Sequence, residues 1–150
     1  MFESDERVAI KICGITRRED ALLCAAAGVE MLGLNFSLKS ARCIAPEVAK
    51  EIVCAVRAQF LEIRLVGIFV NQELAFVQEI AAQLRLDAVQ LHGDETPDFT
   101  RALSGIFVIK AFRVGPSFSA AEIAAYPCDA VLLDSWSARS PGGTGETFPW

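Results

Sequence analysis

Nowhere in the 150 residues does an apolar run approach the ~20 residues that a membrane-spanning helix requires. The opening stretch MFESDERVAIKICG is acidic and lacks the apolar centre of a secretory leader. Positive charge is short as well: 14 Lys and Arg stand against 19 Asp and Glu, for a net charge of −5, and the basic residues are scattered. That excludes the electrostatic footprint of a nucleic-acid or anionic-membrane partner, although a local group of amides and Arg can still hold a small anion. Histidine occurs once, at position 92, so no pair sits at metal-ligand spacing and no metal is expected. The five cysteines (13, 24, 43, 54 and 128) are odd in number, widely spaced and without a Cys-x-x-Cys pair. Neither a zinc site nor a disulfide framework fits, and reduced, mostly packed thiols in the cytoplasm are the expectation.

What is present is a globular composition, 53% hydrophobic and 22% charged, enough for one domain with a sizeable core. Short apolar runs at 8–13, 31–36, 64–70, 87–91, 107–112 and 129–133 read as six strands. They are rich in Val, Ile and Leu without alternation, the pattern of a parallel sheet covered by helices. Between them, Thr16-x-x-Glu19 and Ser119-x-x-Glu122 have capping-box spacing, and Gly28 suits a helix stop. Pro46 and Pro97 suit first helical turns, and Asn71 is placed to cap a helix running through Leu84. The last helix is expected to end near Tyr126. Two architectures accommodate repeated βα units, a doubly wound sheet and a (βα)₈ barrel. The first βα turn is CGIT, not a GxGxxG fingerprint, which argues against a dinucleotide cofactor.

In both architectures ligands bind at the carboxyl ends of the strands. Polar and reactive residues collect there: Cys13-Gly14, Asn35 to Ser37, Asn71, His92-Gly93-Asp94, Arg113 and Asp134-Ser135. An arbitrary cysteine is usually a packed thiol, but one at a strand mouth can act as general base when its surroundings stabilise the thiolate. Asp134 is either an acceptor for loop amides or a general acid. A lone histidine such as His92 is more often structural than catalytic. Gly142, Gly143, Thr144 and Gly145 form an amide-rich loop suited to a phosphate or a lid, though such clusters are usually turn chemistry. Lys11 is expected to point the other way along the strand pleat or into the core, and receives no role from its spacing. Two proton-transfer groups without a metal or cofactor motif suit isomerisation.

Seven segments, in order, resemble phosphoribosylanthranilate isomerase: KICGIT (11–16), LNFSLKSAR (34–42), VGIFVN (66–71), VQLHGDE (89–95), VIKAFRV (108–114), LLDS (132–135) and GGTGETF (142–148). The resemblance implies a TIM (βα)₈ barrel and an Amadori rearrangement of N-(5′-phosphoribosyl)anthranilate in tryptophan biosynthesis, with no cofactor and a phosphorylated small molecule as substrate. It implies that Cys13 is the general base at C2′ and Asp134 the general acid at the furanose oxygen. Arg42 then holds the anthranilate end, and Gln90 and His92 line the pocket. The chain departs from the family pattern at Ala41, Glu146 and Pro149.

The resemblance also implies an incomplete barrel, a single domain over 1–150 with about six of eight βα units. The family's last two units carry glycine-rich phosphate loops. Exposed barrel edges would then be open to self-association. The competing expectations are an inactive or complementing half-barrel that needs a partner chain, and another phosphate-binding barrel such as a pentose-phosphate epimerase. Against the epimerase stands the lack of paired metal-binding histidines.

Overall fold

Strands β1 (Lys11–Cys13), β2 (Met31–Asn35), β3 (Arg64–Phe69), β4 (Ala88–Leu91), β5 (Phe107–Val114) and β6 (Ala130–Ser135) lie parallel in one sheet, in chain order. The computed structural model describes residues 8–116 and 118–135. Helices α1 (Arg18–Ala26), α2 (Pro46–Arg57), α3 (Leu74–Leu84), α4 (Pro97–Arg101) and α5 (Ala120–Ile123) fill the connections. A doubly wound sheet reverses its strand order at a switch point, whereas a barrel wall keeps it. The unbroken order β1 to β6 is therefore an arc of a TIM barrel, with six of its eight strands. Among the described residues β1 and β6 each have a single neighbour.

The two faces of this arc are packed differently. Outward residues such as Leu32, Leu34, Leu65, Phe69, Val89 and Leu91 are fully buried against Ile52, Val56, Val77 and Ile80 of the helices. Each such side chain contributes roughly 1.5–3 kcal/mol of burial, so this outer layer holds the fold. The concave face has only a small apolar cluster, Val66, Ala88 and Ile109, flanked by Met31, Phe107, Ala130 and Leu132. Lys11, Gly33 and Gln90 share that inward face by strand register.

An acidic residue enters each even strand. Glu30, Asp87 and Asp129 each exchange two hydrogen bonds with one residue at the start of the preceding strand. The amides of Ile10, Leu65 and Val108 donate to their carboxylates at 2.7, 2.7 and 2.8 Å. Their own amides donate back to the carbonyls of Ile10, Leu65 and Val108 at 3.2, 2.9 and 2.9 Å. These closures satisfy amides at the base of the sheet and pin register pairwise.

Several expected boundaries move. β1 is half as long as the apolar run that encodes it, because Val8 and Ile10 are exposed. β5 and β6 extend past their expected ends, to Val114 and Ser135, along a continuous six-pair ladder. The Thr16 capping box does not form: α1 starts at Arg18 with Arg17 at its N-cap and no side-chain cap, and Glu19 instead lies 3.7 Å from Arg17. Asn71 does not cap α3 either, since that helix begins at Leu74 behind Glu73. Ser119 and Glu122 do form their box, at 3.3 Å each way, but α5 ends at Ile123, short of Tyr126. Gly28 ends α1 at φ +87°, and Thr96 caps α4 by accepting from Phe99 N at 3.2 Å.

Candidate active site

Side chains from β1, β4 and β6 meet at the carboxyl mouth of the arc in one hydrogen-bonded line. Lys11 Nζ donates to Gln90 Oε1. Gln90 Nε2 lies 2.7 Å from His92 Nδ1, and His92 Nε2 lies 3.1 Å from Asp134 Oδ2. Gln90 is 2% exposed, so its amide is held between these two partners without solvent competition. Cys13 stands two residues after Lys11 on the same face. Its sulfur needs the space that Gly33 leaves, since a Cβ on Gly33 would lie 3.0 Å from Sγ. Burial pushes the Lys11 ammonium below the usual lysine range, while the Cys13 thiol beside it pulls in the opposite direction.

Arg42 enters from the β2–α2 loop. Its amide donates to Ser40 Oγ at 3.1 Å, and its Nη1 donates to the Cys13 carbonyl at 3.0 Å. The side chain crosses directly over Gly14, where a Cβ would come within 2.5 Å of Arg42 Cδ. Gly14 also has φ +79°, so this position needs glycine twice over. Gly14→Ala is expected to destabilise the fold by roughly 1–2 kcal/mol from the left-handed backbone alone. It should also release Arg42 from Cys13. A urea titration and the loss of the Arg42 side-chain signal pattern in an NMR spectrum check both parts.

Behind the mouth, the loop after β4 is clamped from below. Lys110 Nζ donates to Gly93 O at 2.7 Å and to Glu95 Oε2 at 3.1 Å, with side chains 3% and 2% exposed. Glu95 accepts from Asn71 N at 2.8 Å and from Gly93 N at 3.0 Å. Asn71, held at φ +54°, accepts from Asp94 N at 2.7 Å. The residue expected to cap α3 therefore braces the loop that carries His92.

All five described site residues expected from the sequence lie at this mouth: Cys13, Asp134, Arg42, Gln90 and His92. Gly142, Gly143, Thr144 and Gly145, with Glu146 and Pro149, lie outside the described residues. Lys11 is the residue that sequence reasoning missed. The signal was available, because residues two apart on a strand share a face and Lys11 precedes Cys13 by two. A cavity of about 570 Å³ lies lower on the concave side, lined by Met31, Phe107, Ile109, Ala130 and Leu132, and touches the site only at Lys11. It is the mostly apolar lumen of the arc, and the carboxylate of Asp129 on its wall accepts from Val108 N at 2.8 Å.

The arrangement provides a sulfur and a carboxylate on the two ends of the arc, bridged by polar side chains, with a guanidinium over the entrance. The chain as a whole is similar to known proteins. The family model for N-(5′-phosphoribosyl)anthranilate (PRA) isomerase matches residues 10–150. The N-(5′-phosphoribosyl)anthranilate isomerase of Geobacter metallireducens is 46% identical over 143 residues, 95% of this chain and 69% of that protein. Phosphoribosyl anthranilate isomerase from Thermus thermophilus superposes with a TM-score of 0.80 at 40% identity, over 95% of this chain and 68% of that one. A phosphoribosyl anthranilate isomerase in complex with reduced 1-(o-carboxyphenylamino)-1-deoxyribulose 5-phosphate gives 0.75 at 37% identity, over 87% and 66%. The chain spans about two thirds of the length of the relatives it matches.

Proposed function

The chain belongs to the N-(5′-phosphoribosyl)anthranilate isomerase family, and from that membership we propose that its mouth performs the acid–base steps of the Amadori rearrangement of N-(5′-phosphoribosyl)anthranilate, in the cytoplasm. The observation that supports this most is the line Lys11–Gln90–His92–Asp134, which begins beside Cys13 and ends on Asp134. Asp134, protonated, delivers its proton to the furanose oxygen as the C1′–O bond breaks and the Schiff base forms. Cys13, as thiolate, takes the proton from C2′; that electron pair forms the C1′=C2′ bond as the C1′=N π pair returns to nitrogen. The enolamine then tautomerises to the ketone by losing its 2′-hydroxyl proton and gaining one at C1′, and the enzyme resets when the proton held by Cys13 is returned to Asp134 through solvent. Arg42 sits where a carboxylate on the aromatic ring meets a guanidinium fork. The glycine-rich loop at 142–145 belongs, on the same reading, to the substrate's surroundings.

Rescue of a tryptophan-requiring host that lacks this isomerase tests the proposal. Growth on minimal medium is the expected result when the gene is supplied, and failure of a folded, expressed product to support it counts against the assignment.

We read the chain as one barrel domain whose arc carries six βα units, and the two strands at its ends bear on how it behaves alone. On their outer sides Ile10 and Ile12 are 52% and 37% exposed, and Val131 and Leu133 are each 42% exposed. Parallel edges flanked by apolar side chains recruit further strands. Expressed as these 150 residues, the chain is expected to self-associate as concentration rises, and Ile12→Lys with Val131→Lys should suppress it. Sedimentation velocity across a dilution series decides: a mass that stays monomeric throughout would refute the edge reading.

A further inference from the structure

We infer that Lys11 and Gln90 are positioning residues that fix the tautomer of His92, and through it select which oxygen of Asp134 carries the transferable proton. The inference rests on the reading of Asp134 as the general acid.

The logic runs along the donors. An ammonium has three donors and no acceptor, so the Gln90 atom that faces Lys11 Nζ is Oε1. The amide then has only its NH₂ group to offer on the other side, and that group lies 2.7 Å from His92 Nδ1. A donor facing Nδ1 requires a bare, accepting nitrogen there. The ring proton is therefore on Nε2, which lies 3.1 Å from Asp134 Oδ2 and donates to it. With Oδ2 occupied as an acceptor, the acidic proton of Asp134 resides on Oδ1. After transfer, the same Nε2–H stabilises the carboxylate that remains. Gln90 is 2% exposed, so water does not compete for its amide, while Lys11 and His92 on either side are half-buried.

Among the described residues no other contact of the ring opposes this order. Its two nitrogens meet Gln90 and Asp134, and the backbone amide of His92 is spent on Phe69 O at 2.9 Å. The tautomer is set from the Lys11 side of the line, and Asp134 receives its consequence.

The chain contains one histidine, so a long-range ¹H–¹⁵N spectrum of the uniformly labelled 150-residue protein reads both ring nitrogens without assignment ambiguity. At neutral pH the expected spectrum has Nδ1 bare and Nε2 protonated. Gln90→Glu replaces the donor by a carboxylate and should bring a proton to Nδ1. Lys11→Met frees the amide to turn over and should give a mixture of both tautomers; it removes a buried charge, so the amide spectrum should stay folded. Asp134→Asn should leave Nδ1 bare. A parent ring protonated at Nδ1, a folded Lys11→Met chain with an unchanged ring, or a tautomer switched by Asp134→Asn overturns the inference.

In a steady-state turnover assay, Lys11→Met and Gln90→Glu should lower kcat by about tenfold to a hundredfold with KM little changed, the signature of a mis-set catalytic group. Unchanged kcat in a variant whose tautomer has switched overturns the positioning role. Full turnover by Asp134→Asn overturns the acid assignment instead, while the spectrum of the parent stands independently of it.

Discussion

Cys13→Ala is expected to reduce turnover of N-(5′-phosphoribosyl)anthranilate by about 10²–10⁴-fold, and Asp134→Asn by a similar factor. Neither change should unfold the protein. Cys13 is only partly buried, with open space toward the mouth, and a methyl group fits where its sulfur stands beside Gly33. Asp134 is partly exposed and is partnered by His92, a contact that an Asn oxygen can keep. In the proposed mechanism the two groups act on different atoms of the substrate and at different moments, one at the ring oxygen and one at C2′. Loss of either therefore stops the sequence, and the double variant should be little worse than the poorer single one. The host-rescue assay gives the coarse answer and a stopped-flow fluorescence trace of the anthranilate group the fine one. Growth sustained by both single variants would remove these residues from the mechanism.

How much of this was legible in the sequence follows from the range of the interactions. The six strands were readable because each apolar run is itself the local signal, and the site was readable because every run ends in, or is followed directly by, a reactive or polar residue. The order of the strands was not, since a doubly wound sheet and a barrel share the same βα alternation; only the pairing of β1 through β6 in sequence order separates them. Local capping rules held where the partners had no better use, as at Ser119 and Thr96. They failed at Thr16, where Glu19 lies beside Arg17, and at Asn71, whose carbonyl oxygen serves the amide of Asp94 across the next strand. The selecting line through Gln90 joins residues 79 and 42 apart along the chain, a distance no motif encodes.

Lys110→Met is expected to be the most destabilising single change outside the apolar core, at about 3–5 kcal/mol. The reason lies in what stays behind. Lys110 and Glu95 are 3% and 2% exposed, so removing the ammonium leaves a carboxylate that water cannot reach. The two donors that remain to Glu95 are the backbone amides of Asn71 and Gly93, which offset part of the cost and do not neutralise the charge. Replacing both partners by apolar residues should not restore the parent stability, although in many buried pairs it does. Here the carboxylate also satisfies the amides of Asn71 and Gly93, and each orphaned amide costs about 1–3 kcal/mol. Lys110 also lies 5.8 Å from the ring centres of Phe112 and Tyr126, so its stem and charge support the packing under α5. Glu95→Gln should be milder, because Gly93 O at 2.7 Å and Leu91 O at 3.5 Å still receive the ammonium and the amide oxygen can keep one backbone donor. The two variants therefore separate the charge from the hydrogen bonds. Urea midpoints at constant m-value measure them: a Lys110→Met shift within about 1 kcal/mol of the parent would mean that the clamp beneath His92 is not held by this pair.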